Sequence, residues 1–444
     1  MPLVSPVDSS TLLKFKQHEN CLNLNIYAAV GEKKKPVMVW IHGGGFQGGS
    51  GSLPEYDGKK LARAGNVVVV SINYRLGCLG FLRLCDLSDG MIASTGNEGL
   101  GDQITALSWI QDNIHHFGGD KHNVTVFGES AGAMSIACLL ASPAAKGLFH
   151  KAILQSGAGH TYSSIEKANK VAAEFINSAS HLGFSTHELP SLSTEDLLDV
   201  QTHFLSRPEV YQQFGILPFT PVIENILLPL PPHKAISNGS AENIIIMAGT
   251  NTDEWAFFAA ILRQEIRTKE ELAAALAPLF PADTQAHLIE WANQQLHCQA
   301  KPQNLQQLLS TIHTELWFAE PCHRVLQSQL DAGGVAYRYK LGRRSPVEKF
   351  GCTHVADIGY VFAQTNTDFH GDEPRVSYLV EEIQSYWTRI AKYGAPADSE
   401  DIWPSYDNDF AMMFFDHDAS YLAHHDQATV NIWSAVSNQK LASF

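Results

Sequence analysis

The sequence predicts an α/β fold in which helices cover both faces of a central, mostly parallel sheet. Short runs of continuous apolar residues alternate along the first half of the chain with segments of helical periodicity. Such apolar runs are typical of strands that are buried on both faces, as the strands of parallel sheets are. Strands that alternate with helices favour a sheet of this kind, joined by right-handed crossovers.

Seven segments are predicted as strands. The first, at 22–28, alternates polar and apolar residues, which is typical of a half-buried strand. The others are short, mostly apolar runs, among them VMVWI at 37–41 and VVVVSI at 67–72. The remaining predicted strands are 124–127, 152–154, 244–247 and 335–341.

Two segments carry apolar residues at the spacing of a helix. One repeats at steps of three and four over 104–114, and the other does so over 376–390. Pro374 stands before the second stripe and Gly394 after it, as residues at helix ends commonly do. Helical patterns outnumber strands over 163–330, which we interpret as a helical excursion over the C-terminal edge of the sheet, where such folds bind ligands.

Length and charge limit the possible functions. With 444 residues, 45% of them hydrophobic and 17% charged, the chain has ordinary globular composition, and we expect a single catalytic domain over 1–444. It has 46 acidic and 31 basic residues, a formal charge of −15. We therefore expect neither nucleic acid nor a membrane as a partner. The apolar run at 134–141 is far shorter than the ~20 residues that span a bilayer.

The first ten residues and the cysteines bear on the compartment. MPLVSPVDSS has no basic segment followed by an apolar one, so we expect no secretory signal and a cytoplasmic location. The seven cysteines are odd in number and include no CxxC pair. We expect them to be reduced and mostly buried, without a thiolate metal site.

The segment 128–132, GESAG, has the pattern G-x-S-x-G. A predicted strand leads into it, and a predicted helix at 131–140 leads out. A serine on such a sharp turn exposes its hydroxyl, needs small flanking residues and receives the positive end of the helix dipole. A Gly-rich turn can show the bare pattern by chance, so this context carries the prediction that Ser130 is a nucleophile.

A second glycine-rich segment, HGGGF at 42–46, follows the strand predicted at 37–41. Three glycines at a strand end allow backbone N–H groups to approach a substrate and stabilise a tetrahedral oxyanion. The alternative is a flexible glycine loop. HGGG upstream of a G-x-S-x-G turn is, however, the arrangement of lipases and esterases.

A serine nucleophile needs a base, and the base needs an orienting acid. Asp253 and Glu254 follow the strand at 244–247, and the residues alone leave both open as the acid. Among the histidines that come later, His354 is favoured as the base because it follows a strand and a loop. His370, in the acidic segment DFHGDE, is its rival.

Taken together, the sequence resembles the type-B carboxylesterases, the family of cholinesterases and bacterial p-nitrobenzyl esterases. The matching stretches are ENCLNLNIY (19–27), VMVWIHGGGF (37–46), SINYRLGCLGFL (71–82), NEGLGDQITALSWIQDNIHHFGGDKHNVTVFGESAG (97–132), GTNTDEW (249–255) and THVADIGYVF (353–362). The resemblance implies an α/β-hydrolase fold and a Ser-Glu-His triad. It implies Ser130 as nucleophile, Glu254 rather than Asp253 as acid, and His354 as base.

The resemblance also implies the residues around the triad. The oxyanion donors would be the amides of Gly44, Gly45 and Ala131. Glu129 resembles a second family acid that lies near the base, and we interpret it as a residue that tunes the base. The expected activity is hydrolysis of short-to-medium acyl esters through an acyl-enzyme, with a small-molecule substrate and no metal or cofactor. The alternatives are a non-catalytic cholinesterase-like binding protein, and an amidase or thioesterase.

The sequence departs from the family pattern in two places. Family members usually carry some dozens of further residues before the stretch at 19–27, including a disulfide-closed loop over the site. Most of these are missing here, so we expect Cys21 to have no upstream partner and the pocket to be more open on one side. Trp255 stands where the family has glycine, and we expect it to alter the loop of Glu254 or to line the pocket.

Overall fold

The structure, a computed structural model, describes residues 17–441 except 30, 32, 33, 300, 302, 303 and 408. The strands of this part form one nine-stranded sheet. In chain order they are β1 (Leu24–Tyr27), β2 (Lys35–Ile41), β3 (Val68–Ile72), β4 (Gly119–Glu129), β5 (Lys151–Gln155), β6 (Ile245–Asn251), β7 (Ala336–Leu341), β8 (Ala411–Phe415) and β9 (Ser420–His424).

The strand order across the sheet is β1-β3-β2-β4-β5-β6-β7-β8-β9. From β3 to β8 neighbouring strands are parallel. The outer strands β1 and β9 pair antiparallel with β3 and β8. The prediction of a mostly parallel sheet is therefore confirmed. Because parallel strands end at one common edge, the segments that follow β4, β5, β6 and β7 come close together there.

The helices lie between these strands and beyond them. The α-helices are α1 (Lys59–Gly65), α2 (Gly77–Phe81), α3 (Glu98–Asn113), α4 (Ala131–Ala141), α5 (Ile165–His181), α6 (Thr194–Leu205), α7 (Pro208–Phe214), α8 (Pro232–Ser237), α9 (Trp255–Ile261), α10 (Lys269–Leu276), α11 (Ala282–Cys298), α12 (Leu305–Thr314), α13 (Glu320–Asp331), α14 (Ala356–Val361), α15 (Thr367–His370), α16 (Pro374–Tyr393), α17 (Gln427–Ser434) and α18 (Asn438–Leu441). A π-helix (Glu315–Ala319) joins α12 to α13, and short 3-10 helices form at Pro54–Tyr56, Ile114–Phe117, Pro143–Ala145 and Thr186–Ser191. None of the helices in the described part of the chain has both the length and the apolar composition to cross a membrane.

Helices cover both faces of the sheet, and the side chains of β2 show how. Val37, Val39 and Ile41 enter one hydrophobic core with residues of α3 and α4. Met38 and Trp40 enter a second core with residues of α1, α14 and α16. Since successive side chains of a strand point to opposite faces, one continuous apolar run supplies both cores.

The segment between β5 and β7 is mostly helical. Helices α5 to α8 precede β6, and α9 to α13 follow it. The region predicted as one excursion at 163–330 thus contains two helical insertions separated by a strand of the central sheet. Its role as a cap over the site, within one catalytic domain, stays a prediction.

Candidate active site

The predicted nucleophile lies on a strained turn between β4 and α4. Ser130 has φ 54° and ψ −125°, a conformation that few non-glycine residues adopt. A Cβ atom on Gly132 would lie 2.0 Å from the carbonyl oxygen of Ile41, and one on Gly128 would lie 2.6 Å from the same oxygen. The backbone N–H of Ser130 donates to the carbonyl of Gln155 at 2.9 Å. The two glycines therefore allow the turn to pack directly against the end of β2.

The glycine loop after β2 lies against this turn. A Cβ atom on Gly43 would lie 3.1 Å from Cβ of Ser130. Gly44 has φ 107° and Gly45 has φ 63°, both in the region that favours glycine. A Cβ atom on Gly44 would lie 2.1 Å from the carbonyl oxygen of Gly48. The structure thus brings the loop of the predicted oxyanion donors next to Ser130.

His42 anchors the start of this loop. Its ring stacks on Tyr74 at 4.5 Å between centroids, and the Tyr74 hydroxyl donates to the His42 carbonyl at 2.7 Å. His42 Nδ1 donates to the carbonyl of Gly43 at 2.8 Å. Burial lowers the pKa of His42 to about 4, so its ring is neutral at neutral pH. These contacts fix the start of the loop.

The predicted acid and base are in direct contact. His354 Nδ1 donates to Glu254 Oε2 at 2.7 Å, and both side chains are buried. The other oxygen of Glu254, Oε1, accepts from the Ser156 hydroxyl at 2.6 Å and from the backbone N–H of Asn251 at 2.7 Å. These bonds leave the carboxylate one orientation, which faces the imidazole.

Asp253, the other candidate acid, faces elsewhere. Its carboxylate pairs with Lys301 at 2.7 Å and accepts from the backbone N–H of Cys352 at 3.0 Å. Of the two acids that the residues alone left open, Glu254 is the one hydrogen bonded to His354.

The second ring nitrogen of His354 faces the nucleophile turn. Nε2 lies 3.1 Å from Oε1 of Glu129, the residue before Ser130. Neither atom forms a well-aligned hydrogen bond within the described residues, so His354 and Ser130 are not hydrogen bonded in the structure. Bonds of this kind are often long before a substrate binds and tighten in the complex.

Three carboxylates surround the imidazole and set its charge. Burial lowers the pKa of His354, but Glu129, Glu254 and Asp357 outweigh burial and raise it to about 9. Burial raises the pKa of Glu129 to about 8, and Asp357 and Glu254 add to this rise while His354 opposes it. The groups titrate together. The neutral, basic form of His354 is thus reached at higher pH than for an isolated histidine.

The rival histidine, His370, is a packing residue. It is buried, its Nδ1 accepts from the backbone N–H of Asn366 at 3.0 Å, and its ring meets Tyr360 edge-on at 5.1 Å. Burial lowers its pKa to about 4. The structure does not bring His370 to Glu254.

Trp255, the departure from the family pattern, begins α9 and is buried. Its backbone N–H donates to Thr314 Oγ1 at 3.1 Å, and its indole N–H donates to Gln264 Oε1 at 2.9 Å. The ring meets His313 edge-on at 4.4 Å. These contacts tie the loop that carries Glu254 to the end of α12.

Aromatic rings surround the imidazole of His354. Phe318 of the π-helix lies 5.0 Å from it, Phe258 lies 5.1 Å and Phe257 lies 5.8 Å, measured between ring centroids. The side of the base that the carboxylates leave open is therefore apolar.

Sequence reasoning missed two buried polar groups near the triad. Ser156 has φ 51° and holds Glu254, and it directly follows β5. Asp357 accepts from Gln155 and from the Tyr339 hydroxyl, each at 2.8 Å. Ser156 lies just beyond the strand predicted at 152–154, and Asp357 lies inside the stretch 353–362 that carries His354. Nothing in their own pattern distinguished them from ordinary polar residues.

A cavity of about 990 Å³ lies behind the glycine loop, against Gly48 and Gly49. Its walls come from parts of 17–23, 73–84 and 189–201. None of the three predicted triad residues is part of its wall. Within the described residues, no group of three or more His, Cys, Asp and Glu side chains is arranged to hold a metal ion.

Comparison with known proteins places the chain in a family. The model of the carboxylesterase family matches residues 4–433. The para-nitrobenzyl esterase of Bacillus subtilis (strain 168) is 38% identical over 409 residues, which cover 88% of this chain and 78% of that protein. The liver carboxylesterase of Sus scrofa is 34% identical over 417 residues, which cover 88% of this chain and 72% of that protein.

Solved structures give the same result. A thermophilic PNB esterase superimposes with a TM-score of 0.80 at 33% identity, covering 98% of this chain and 87% of that one. A Geobacillus stearothermophilus carboxylesterase also has a TM-score of 0.80 at 33% identity, covering 94% of this chain and 85% of that one. The predicted α/β-hydrolase fold is confirmed by these neighbours.

Proposed function

Because this chain belongs to the carboxylesterase family and is a serine carboxylic-ester hydrolase, we propose that Ser130, His354 and Glu254 carry its reaction. The observation that supports this most is the buried hydrogen bond of 2.7 Å between His354 and Glu254, formed beside the strained turn of Ser130. Fixed acid and base groups next to an exposed hydroxyl are what acyl transfer needs.

The first half-reaction forms an acyl-enzyme. Ser130 Oγ attacks the ester carbonyl while His354 Nε2 takes its proton. Glu254 holds Nδ1–H and stabilises the imidazolium. The amides of Gly44, Gly45 and Ala131 stabilise the oxyanion, and each such donor is worth about 3 kcal/mol of barrier. As the tetrahedral intermediate collapses, His354 gives its proton to the departing alcohol.

The second half-reaction repeats these steps with water. Water loses a proton to His354 Nε2, attacks the acyl carbonyl, and releases the acid as the proton returns to Ser130 Oγ. Glu129 lies close to the same nitrogen and favours its protonated form, which follows each attack.

The substrates that we propose are esters with short or medium acyl chains. The apolar rings around His354 suit an uncharged substrate. The para-nitrobenzyl esterase is similar over most of this chain. A series of p-nitrophenyl esters of increasing acyl length, compared with matched anilides and thioesters, tests both the chain length and the amidase or thioesterase alternative.

The decisive test is Ser130→Ala. We expect turnover to fall by about 10⁵-fold or more while the protein stays folded. An organophosphate should label Ser130 in the unmodified enzyme. Ser180→Ala, on the exposed side of α5, is the matched control and should keep full activity. Appreciable turnover in Ser130→Ala would mean that another group is the nucleophile, and absence of labelling together with full folding would favour a non-catalytic binding protein.

We also propose a reducing compartment, the cytoplasm. All seven cysteines lie in the described residues and none forms a disulfide. Free thiols are typical of proteins in reducing compartments. Fractionation of source cells with an antibody against the chain tests this location.

A further inference from the structure

We infer that Asp253 and Lys301 form a positioning pair, which holds the loops of Glu254 and His354 in register and ties both to α11. The inference rests on the proposed roles of Glu254 and His354. Neither Asp253 nor Lys301 touches the reacting atoms. They affect the reaction only through the positions of Glu254 and His354.

Asp253 connects the acid loop to the base loop. It directly precedes Glu254, and its Oδ2 accepts from the backbone N–H of Cys352 at 3.0 Å. Its own N–H donates to the carbonyl of Cys352 at 2.9 Å. Cys352 lies two residues before His354. A single residue thus joins the two loops through its side chain and its main chain, and a shift of one loop is passed to the other.

The base loop is shaped to admit this carboxylate. Gly351 has φ 58°, and a Cβ atom there would lie 2.6 Å from Oδ2 of Asp253. The carbonyl of the same glycine accepts from the backbone N–H of Ser345 at 2.7 Å. A side chain at position 351 would force the carboxylate away from Cys352. The close approach of Asp253 to the base loop therefore depends on glycine at position 351.

Lys301 completes the pair from the helical segment. Its Nζ lies 2.7 Å from Asp253 Oδ1, and the exposed fractions of the two side chains are 7% and 9%. Nζ also donates to the carbonyl of Thr252 at 3.4 Å, while the backbone N–H of Lys301 donates to the carbonyl of Leu296 in α11 at 2.9 Å. Removing one partner of a buried ion pair is strongly destabilising, because it leaves an uncompensated buried charge.

The charges around the pair determine what its loss does. Lys340 interacts with both members of the pair, and Glu315 in turn interacts with Lys340. The thiol of Cys352 adjoins the pair. Asp253 and Lys301 together carry no net charge. Removing Lys301 alone leaves a carboxylate next to Glu254, which favours protonated His354. Removing the charge of Asp253 alone leaves an ammonium there, which has the opposite effect.

The test is a double-mutant cycle with Lys301→Met, Asp253→Asn and the double variant, assayed with a p-nitrophenyl ester from pH 5 to 10. We expect each single variant to lower kcat about tenfold, since small displacements of catalytic groups are costly. The kcat of the double variant should be no lower than that of the less active single variant. Lys170→Met, in an exposed ion pair with Glu166 on α5, is the matched control and should behave as the unmodified enzyme.

The pH profile separates positioning from mere stability. We expect the acid limb of kcat/KM to move up by about 0.5 unit in Lys301→Met, to move down by a similar amount in Asp253→Asn, and to return in the double variant. Loss of stability alone would lower the active fraction, measured by organophosphate titration, without moving these midpoints. If the single variants fail to fold, the kcat of the double variant tests the inference, because that variant leaves neither charge of the pair unpaired.

Unchanged kcat in the single variants, without opposite shifts of their acid limbs, would overturn the inference. Where the single variants do not fold, unchanged kcat in the double variant would overturn it. That outcome would leave the proposed function intact if Glu254→Gln still removed activity. Full activity in Glu254→Gln would instead contradict the proposed triad, and with it the basis of the pair.

Discussion

At the scale of single residues, the proposed base, His354, lies near two carboxylates besides the one that orients it. Glu254 orients the ring at 2.7 Å, while Glu129 faces the opposite nitrogen at 3.1 Å. Two buried acids on the two sides of one imidazole stabilise its charged form. The sequence alone suggests an ordinary histidine that loses its proton near pH 6–7. The structure differs, because burial, which opposes the charge, is outweighed by Glu129, Glu254 and Asp357.

The first prediction concerns Glu129→Gln. In the proposed reaction His354 must be neutral, so we expect activity to be lost as the pH falls through the pKa of this residue. Glu129 raises that pKa, and removing its charge lowers it. We therefore expect the acid limb of kcat/KM to move to lower pH, by about one unit. Measurement of kcat/KM between pH 5 and 10 checks this, and a shift to higher pH would contradict the assignment of charges.

The second prediction ranks the two neighbouring acids. Glu254→Gln removes the group that holds Nδ1 of His354 and should lower kcat by about 10³-fold or more. Asp253→Asn should cost about tenfold, because this carboxylate positions the loop without touching the imidazole. Steady-state kinetics of both variants give the ranking, and the reverse order would show that the acid is Asp253.

At the scale of elements, the turn that carries Ser130 depends on three chain segments that meet without space for side chains. The end of β2, the end of β4 and the start of α4 approach so closely that Gly132 has no room for a Cβ atom. The pattern G-x-S-x-G was readable because this steric demand fixes residue types in one short stretch. The approach of Glu129 to His354 is not readable from the residue pattern alone and is expected only from the resemblance to the family. It depends on where a distant loop, with Val355 at φ 68°, returns to the sheet.

The third prediction tests this steric demand. Gly132→Ala should lower the free energy of unfolding by about 2 kcal/mol or more, because the added methyl group meets the Ile41 carbonyl. Gly101→Ala in α3 is the control, since its Cβ atom would meet only Leu227, at 3.7 Å. There alanine should stabilise the helix by about 0.5–1 kcal/mol. Urea unfolding of both variants measures the difference, and equal effects would refute the steric argument.

The sequence pattern predicts some strands and helices of this fold and misses others. The valine-rich run at 67–72 is buried throughout and appears as β3, and the stripe at 376–390 appears in α16. The edge pair β8 and β9 was missed. The side chains of β9 are half-buried or exposed along its whole length, without alternation, so it carries neither signature. Its pairing with β8 is a tertiary effect.

At the scale of the whole molecule, the sheet collects groups that are far apart in the chain. Ser130 follows β4, Ser156 follows β5, Glu254 follows β6 and His354 comes after β7. Strands that alternate with helices along the chain predict a parallel sheet. In such a sheet the carboxyl ends of the strands share one edge, so the sequence suffices to predict that these residues lie at the same edge. Pattern does not give the distances or the buried carboxylate network, because these depend on how the loops fold over one another.

The fourth prediction follows from this assembly. Every group in the proposed reaction is a side chain or a backbone amide of this chain. We therefore expect ester hydrolysis to be unchanged after dialysis against EDTA. Assays before and after chelation, with a zinc esterase as the positive control for chelation, check this expectation. Loss of activity that returns on adding a divalent metal would contradict the metal-free mechanism.

The outer strand β9 has a practical consequence for handling the protein. It pairs with β8 along one side and presents Tyr421 and Leu422 with exposed fractions of 49% and 39%. An edge strand with exposed apolar side chains is a template with which other chains can pair. We therefore expect concentrated or heated samples to aggregate through this edge. Leu422→Lys would put a charge on this edge, and we expect it to slow aggregation without changing the rate of ester hydrolysis.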